Sequence, residues 1–280
     1  MIRLLKRILL FFLAGLLLYF TFDVGRYFFY PDVAGLKTKR PGTTAFMDYR
    51  QSAWRDRGIK KKIKTSWVPM SRISPYVMKA VIISEDDKFW SHEGFDFEAM
   101  QKAMEKNVKR NKLFYAGGST ISQQLVKNLY LSPSKNPLRK IKEAILTWRI
   151  ERNLSKRRIL ELYLNVAEWS DGLFGIGAAA RHYYGKDASA LSAREAAALA
   201  VVLPNPRRLK PDGSSRYVAR QAERIHAIMV RRGMVIEAYD HIVSESDREN
   251  GKEQEDEKPD AIEGLPDESS GSNNLPEGLP

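Results

Sequence analysis

Fifteen consecutive residues, Ile8 to Phe22, carry no charge, and this run limits what the start of the chain can become. In hydrocarbon a lone segment satisfies its backbone only as a helix. The run falls short of the roughly 20 residues that cross a bilayer, but Leu4 and Leu5 extend it while Lys6 and Arg7 snorkel to the surface. Aromatic side chains crowd the far end, from Tyr19, Phe20 and Phe22 to Tyr27, Phe28, Phe29 and Tyr30, as at a membrane interface. A cleavable leader would need small residues at a cut site, and bulky rings stand there instead. Residues 1–30 are therefore predicted to be an uncleaved, single-pass anchor. Arg3, Lys6 and Arg7 precede the span, whereas Asp23 and Arg26 balance each other after it. This asymmetry predicts a cytoplasmic N-terminus and a domain outside the cytoplasmic (inner) membrane.

The rest of the chain is large enough for one core of roughly 150 to 200 residues. Charge is uneven along it. Residues 241–280 hold twelve acidic and three basic side chains, a net of −9, which leaves +21 on the first 240 residues of a chain whose total is +12. The tail, rich in Glu, Asp, Ser, Gly and Pro, is predicted to be disordered. A strongly basic remainder suits nucleic acid, anionic headgroups or a phosphorylated substrate, and the anchor favours the latter two. Cysteine is absent, and His92, His182, His226 and His241 lack ligand spacing, so a zinc site is not expected.

Residues 31–66 read as a linker leading into the domain, interrupted by Pro31, Pro41, Gly42 and Gly58. Residues 67–240 read as a mainly α domain. Ser74 before Pro75 starts a helix that is apolar nearly all round and hence buried. Phe97 to Tyr115 reads as a basic amphipathic helix. Ser119 or Thr120 caps a helix with Ile121, Leu125, Val126 and Leu129 on one side and Gln123, Gln124 and Lys127 on the other, the polar side free for a ligand. Pro137 opens a helix expected to turn Ile141, Ile145 and Trp148 inward. Ser155 caps the next, and Ser192 with Glu195 forms a capping box ahead of an Ala-rich helix.

Chemistry concentrates in three segments. Glu85-Asp86-Asp87 to His92 and Gly94 places a carboxylate at the end of an apolar run. Gly117-Gly118-Ser119-Thr120 to Lys127 and Asn128 supplies a polar, cationic face. Arg139-Lys140-Ile141-Lys142-Glu143 adds cations and a second carboxylate. Such a set would serve attack by a hydroxyl on a sugar that carries a diphosphate leaving group. Chelation by Glu85, Asp86 and Asp87 together is disfavoured, since neighbours on a helix diverge by about 100°. Arg139 and Glu143 also stand four apart, where a simple helix-surface ion pair is the plain alternative. Ser119 and Thr120 could act as caps, as contacts, or both.

These segments, with Lys156-Arg157-Arg158-Ile159-Leu160-Glu161-Leu162-Tyr163-Leu164-Asn165 and Gly177 to Lys186, resemble the peptidoglycan glycosyltransferase family from roughly Trp67 to Pro206. The resemblance implies a lysozyme-like helical fold and polymerisation of lipid II into β-1,4-linked glycan, with inversion and release of polyprenyl diphosphate. No transpeptidase domain follows, so the likeness is to the monofunctional biosynthetic kind. It further implies Glu85 as the base and Glu143 as a second essential carboxylate near the leaving diphosphate. Asp86 is carried over as a supporting group, while Ser119, Thr120, Gln123 and Gln124 are expected to hydrogen-bond the sugars. Lys127, Lys135, Arg139, Lys140 and Lys142 are expected to neutralise the diphosphate. Because Glu143 would repel phosphate, Mg²⁺ or another divalent cation is a candidate cofactor. Expected partners are lipid II, the growing lipid-linked glycan, the membrane, and cell-wall synthesis or division proteins, with no nucleic acid.

Two rival readings are weaker. A lytic glycosidase also uses two carboxylates, but its neutral sugar leaving group needs no cations. A basic scaffold would need no ordered carboxylates. Ser132-Pro133-Ser134-Lys135 fits a transpeptidase pattern, but lacks the partner motifs in order. His92 is expected to be a structural hydrogen-bonding residue, and Glu161 and Asn165 to support helix packing.

Overall fold

The computed structural model describes residues 2–110, 117–133 and 136–235. Lys135, the end of the helix expected to reach Tyr115, and the acidic tail lie outside the described residues. Among the described residues the chain is mainly helical, with ten α-helices and a three-stranded sheet.

α1 (Ile2–Gly25) is a 24-residue helix, about 36 Å long at 1.5 Å per residue. Its apolar side chains from Leu4 to Phe22 lie largely exposed, and its composition suits a membrane span. It is a candidate membrane anchor.

α2 (Ala45–Arg55) falls within the stretch read as a linker, yet it is packed into the domain. Thr44 caps it by accepting from Met47 N, and Met47, Arg50 and Trp54 are buried. The attachment is long-range. Arg50 makes a bidentate pair with Glu168, Nε to Oε1 at 2.8 Å and Nη2 to Oε2 at 2.6 Å. Glu168 Oε1 also accepts from Gly172 N, so these buried charges are paired and hydrogen-bonded as burial requires.

α3 (Pro75–Glu85) starts as its sequence predicts, with Ser74 Oγ accepting from Tyr76 N. Val77, Ala80 and Val81 are fully buried, each valine stabilising the fold by about 1.5–3 kcal/mol relative to exposure. They pack against α9 (Ala193–Val202) and α10 (Arg216–Arg231). A second group brings together α5 (Ile121–Tyr130), α6 (Pro137–Asn153) and α7 (Lys156–Val166), with α2 on α5. α4 (Phe97–Lys109) is capped by Asp96, and α8 (Ile176–Tyr184) follows the sheet. In the sheet, β1 (Lys64–Thr65) runs parallel to β3 (Leu173–Phe174), and β2 (Glu168–Ser170) antiparallel to it.

α6 does not turn the expected face inward. Glu143, Leu146, Thr147 and Ile150 are buried, while Ile141 and Trp148 are 50% and 44% exposed and Ile145 is half-buried. Both sets have helical spacing, and apolar content alone selects the wrong one. The buried set wins because Glu143 brings its own cations, and because Trp148 packs its ring edge-on against Phe28 at the foot of α1, 6.4 Å away.

Candidate active site

The site is built where α3 ends and α5 begins. Asp86, 7% exposed, accepts from the backbone N–H of Ile121 at 2.9 Å, placing a carboxylate at the N-terminus of α5 where the helix dipole favours it. The other partner of Asp86 is His92 Nε2, at 2.9 Å from Oδ1. Because His92 Nδ1 accepts from Gly94 N, the proton sits on Nε2 and is donated to Asp86. Gly94 O accepts from Thr120 Oγ1 at 2.7 Å, which closes a ring of hydrogen bonds from α3 through the 92–94 turn to α5. Thr120 and Gln123 add a capping box.

This ring sets the position of Glu85. One turn into α5, Gln124 Nε2 donates to Glu85 Oε2 at 2.7 Å, and Gln124 Oε1 accepts from the buried hydroxyl of Tyr163 at 3.1 Å. Gln124 is thereby oriented with its amide toward the carboxylate. Glu85 Oε1 is buried and has no hydrogen-bond partner. Burial raises the Glu85 pKa above the ordinary carboxylate range, and the Gln124 hydrogen bond and the Lys127 charge only partly oppose it.

Two recesses lie here, one lined by Glu85 itself and the other by Gln124 and Tyr163, which position it. A groove of about 360 Å³ is lined by Gln124, Lys127, Asn128 and Tyr163, with Phe46 and Arg207 among its other walls. A recess of about 290 Å³ is lined by Glu85, Asp87, Lys102, Gly117, Gly118 and Ser119. Lys127 Nζ sits 5.7 Å from the Phe46 ring centroid. Burial lowers its pKa, while Glu143 and Glu85 pull it back up. Lys127 thus feels both carboxylates. Glu143, 2% exposed, accepts from Arg139 Nη1 at 2.6 Å and from Lys140 Nζ. Arg139 and Lys140 also act on Lys127 electrostatically, so the cations and Glu143 form one charged cluster.

Several residues expected to meet substrate are occupied otherwise. Asp86 is consumed by His92 and Ile121. Thr120 is a buried cap, and Gln123, at the third helical position, turns its Oε1 back to Thr120 N at 3.1 Å, so the polar side of α5 is not wholly free. Lys142 leaves the cluster and bonds Asp23 Oδ2 at 2.5 Å. Ser119, Gln124, Lys127, Arg139 and Lys140 stay beside the two recesses or the cluster. Glu161 and Asn165 hold the backbone of residues 68–70: Asn165 Oδ1 accepts from Val68 N at 2.7 Å, and Glu161 Oε1 from Met70 N.

Phe46, Arg50, Asn128, Tyr163 and Arg207 are site-lining residues that the sequence did not disclose. Asn128 and Tyr163 lay inside recognised segments, with no contact to substrate expected of either. The donor set around Glu143 does not suit a divalent cation, because two ammonium- or guanidinium-type groups already take its oxygens, and among the described residues no group of three His, Asp or Glu side chains converges as ligands.

Gly94 is where backbone freedom is needed most. Its φ is +91°, and an added Cβ would lie 2.8 Å from Thr147 Cγ2 and 2.9 Å from Glu151 Cγ. Gly94→Ala is expected to cost about 1–3 kcal/mol through backbone strain and overpacking, read as a melting temperature several degrees lower. An unchanged melting curve would show that the turn relaxes freely.

A carboxylate held short of full solvation beside a cation cluster is the equipment of a group-transfer enzyme with an anionic leaving group. Residues 54–230 match the family described as transglycosylase. The chain therefore belongs to the transglycosylase family and is a glycosyltransferase of peptidoglycan synthesis. It is similar to the biosynthetic peptidoglycan transglycosylase of Nitrosospira multiformis, 48% identical over 201 residues that cover 72% of this chain and 84% of the relative. Relatives of the same name from Methylobacillus flagellatus and Aromatoleum aromaticum are 50% and 51% identical, each over 68% of this chain and 82% of the relative.

Proposed function

We propose that the chain polymerises lipid II, with Glu85 as general base. The observation that carries this reading is the buried, unpartnered Oε1 of Glu85, held by Gln124 and standing within electrostatic reach of Lys127. Glu85 takes the proton of the acceptor sugar's 4-hydroxyl, whose oxygen attacks C1 of the donor. The bond from C1 to the diphosphate breaks, and the polyprenyl diphosphate leaves with the electron pair. The donor bears an α-linked diphosphate and the product is β-1,4-linked, so configuration inverts and one base suffices. Lys127, Arg139 and Lys140 meet the charge that develops on the diphosphate, and Glu143 holds Arg139 and Lys140 in place. Ser119 and Gln124 supply hydrogen bonds to the sugars. No step is routed through a metal.

Arg3, Lys6 and Arg7 support a cytoplasmic N-terminus for α1, with the catalytic domain on the outer face of the cytoplasmic membrane. Cell-wall synthesis or division proteins are the partners such a location offers. Purified full-length protein given lipid II in vesicles is expected to release the lipid diphosphate and lengthen glycan without peptide crosslinks. Glycan shortened by water, with no diphosphate released, would overturn the reading in favour of a lytic enzyme.

A further inference from the structure

Lys142 belongs to the cationic stretch of α6, yet it points to the anchor. Its Nζ bonds Asp23 Oδ2 in the last turn of α1 at 2.5 Å and lies 5.1 Å from the Tyr27 ring centroid. Both charged side chains are largely shielded, at 16% and 20% exposure. Two turns along α6, Arg149 donates from Nη1 to Tyr27 O at 3.0 Å and from Nη2 to Phe29 O at 3.1 Å. Trp148 packs edge-on against Phe28 between these two attachments. Residues 142 and 149 are about 10 Å apart along a helix. Attachments at both ends of such a length fix an angle as well as a distance, which a flexible tether cannot do.

The same helix carries Arg139, Lys140 and Glu143 in the turn that holds Lys142. We propose that Lys142 and Arg149 are positioning residues: they bolt the anchor to α6 and so set the height and tilt of the cation cluster over the bilayer. This rests on the lipid II reading above. A lipid-linked donor is confined to the membrane plane, with its diphosphate at the interface, so a cluster mounted on the anchor meets it in register. A misplacement of about 1 Å at such a centre can cost about 100-fold in rate. The anchor then orients the site rather than merely concentrating the enzyme. A substrate free in solution would not need the register.

The test compares turnover of lipid II in vesicles with turnover of a water-soluble, short-chain analogue by the same full-length protein. Lys142→Asp is expected to lower kcat/KM in vesicles about tenfold while changing it less than about twofold on the soluble analogue. The exchange Asp23→Lys with Lys142→Asp is expected to recover most of the loss. Arg149→Gln, which removes an independent attachment, is expected to show the same selectivity if the first variant does not fold. Equal losses on both substrates would return Lys142 to the site itself and overturn the proposal. Undiminished turnover in vesicles by the folded variants, or a loss that the exchange does not recover, would also overturn it. Wild-type protein inactive on both substrates would instead overturn the functional reading beneath it.

Discussion

Glu85→Gln is expected to lower lipid II polymerisation by about 10²- to 10⁴-fold, the range a general base contributes, while making the protein more stable. Both effects come from one environment. Burial raises the carboxylate's pKa, so its proton is held more tightly in the folded chain than in the unfolded one. Stability from such a group is fully present below the ordinary carboxylate range and is lost as pH rises through the raised value. At neutral pH the ionised group therefore weighs against folding. Glutamine keeps an acceptor for Gln124 Nε2 and removes the buried charge. A gain on the order of 1 kcal/mol is expected, or about 2–4 °C in melting temperature, shrinking as the pH is lowered into the acid range. The rate in wild type should fall on acidification at a pH above the ordinary carboxylate range, because the base must be ionised. Polymerisation within threefold of wild type in the glutamine variant would remove Glu85 from the mechanism. A melting temperature several degrees lower would show that its charge supports the fold rather than straining it.

How much of this could be read from the chain depends on how far each interaction reaches. Ser74, Thr120, Ser155 and the Ser192–Glu195 box act within three residues, and each caps the helix its sequence predicts. The carboxylate and the cations of the site were legible by type. Their division of labour was not. Gln123 read as ligand-facing because a helix face is a pattern, whereas its place in a capping box with Thr120 depends on which residue begins the helix. Asp86 read as a supporting group whose partners stayed hidden, because Ile121 reaches it only when α3 meets α5. The Arg50–Glu168 pair spans 118 residues and Lys142–Asp23 spans 119. Local periodicity cannot register such distances, so α2 read as linker and Lys142 as a phosphate ligand. On α6 two faces had equal spacing, and the foot of α1, far away in sequence, decided between them.

Lys127→Met is expected to lower kcat/KM by about 10²- to 10³-fold, the usual cost of removing one preorganised group that meets transition-state charge. Lys127 is the residue that joins the two halves of the site, since it feels Glu85 on one side and Glu143 with Arg139 and Lys140 on the other. Burial is the largest influence on it and lowers its pKa below the ordinary lysine range. Its charge is therefore lost earlier as pH rises, and the alkaline limb of the rate profile should lie below that range. Lys127→Arg keeps a cation that does not titrate, so the surviving activity should extend to higher pH than in wild type. Folding should not suffer from the methionine. A base whose pKa is depressed in the folded state lowers stability while it is charged, and the unfolded chain binds more protons there. The two signatures separate the roles of this residue. Loss of rate with an intact melting temperature and a displaced alkaline limb in the arginine variant marks a group that meets leaving-group charge. Loss of rate with a collapsed melting temperature would mark a side chain that only fills space between α2 and α5, and the cation cluster would then have to act without it.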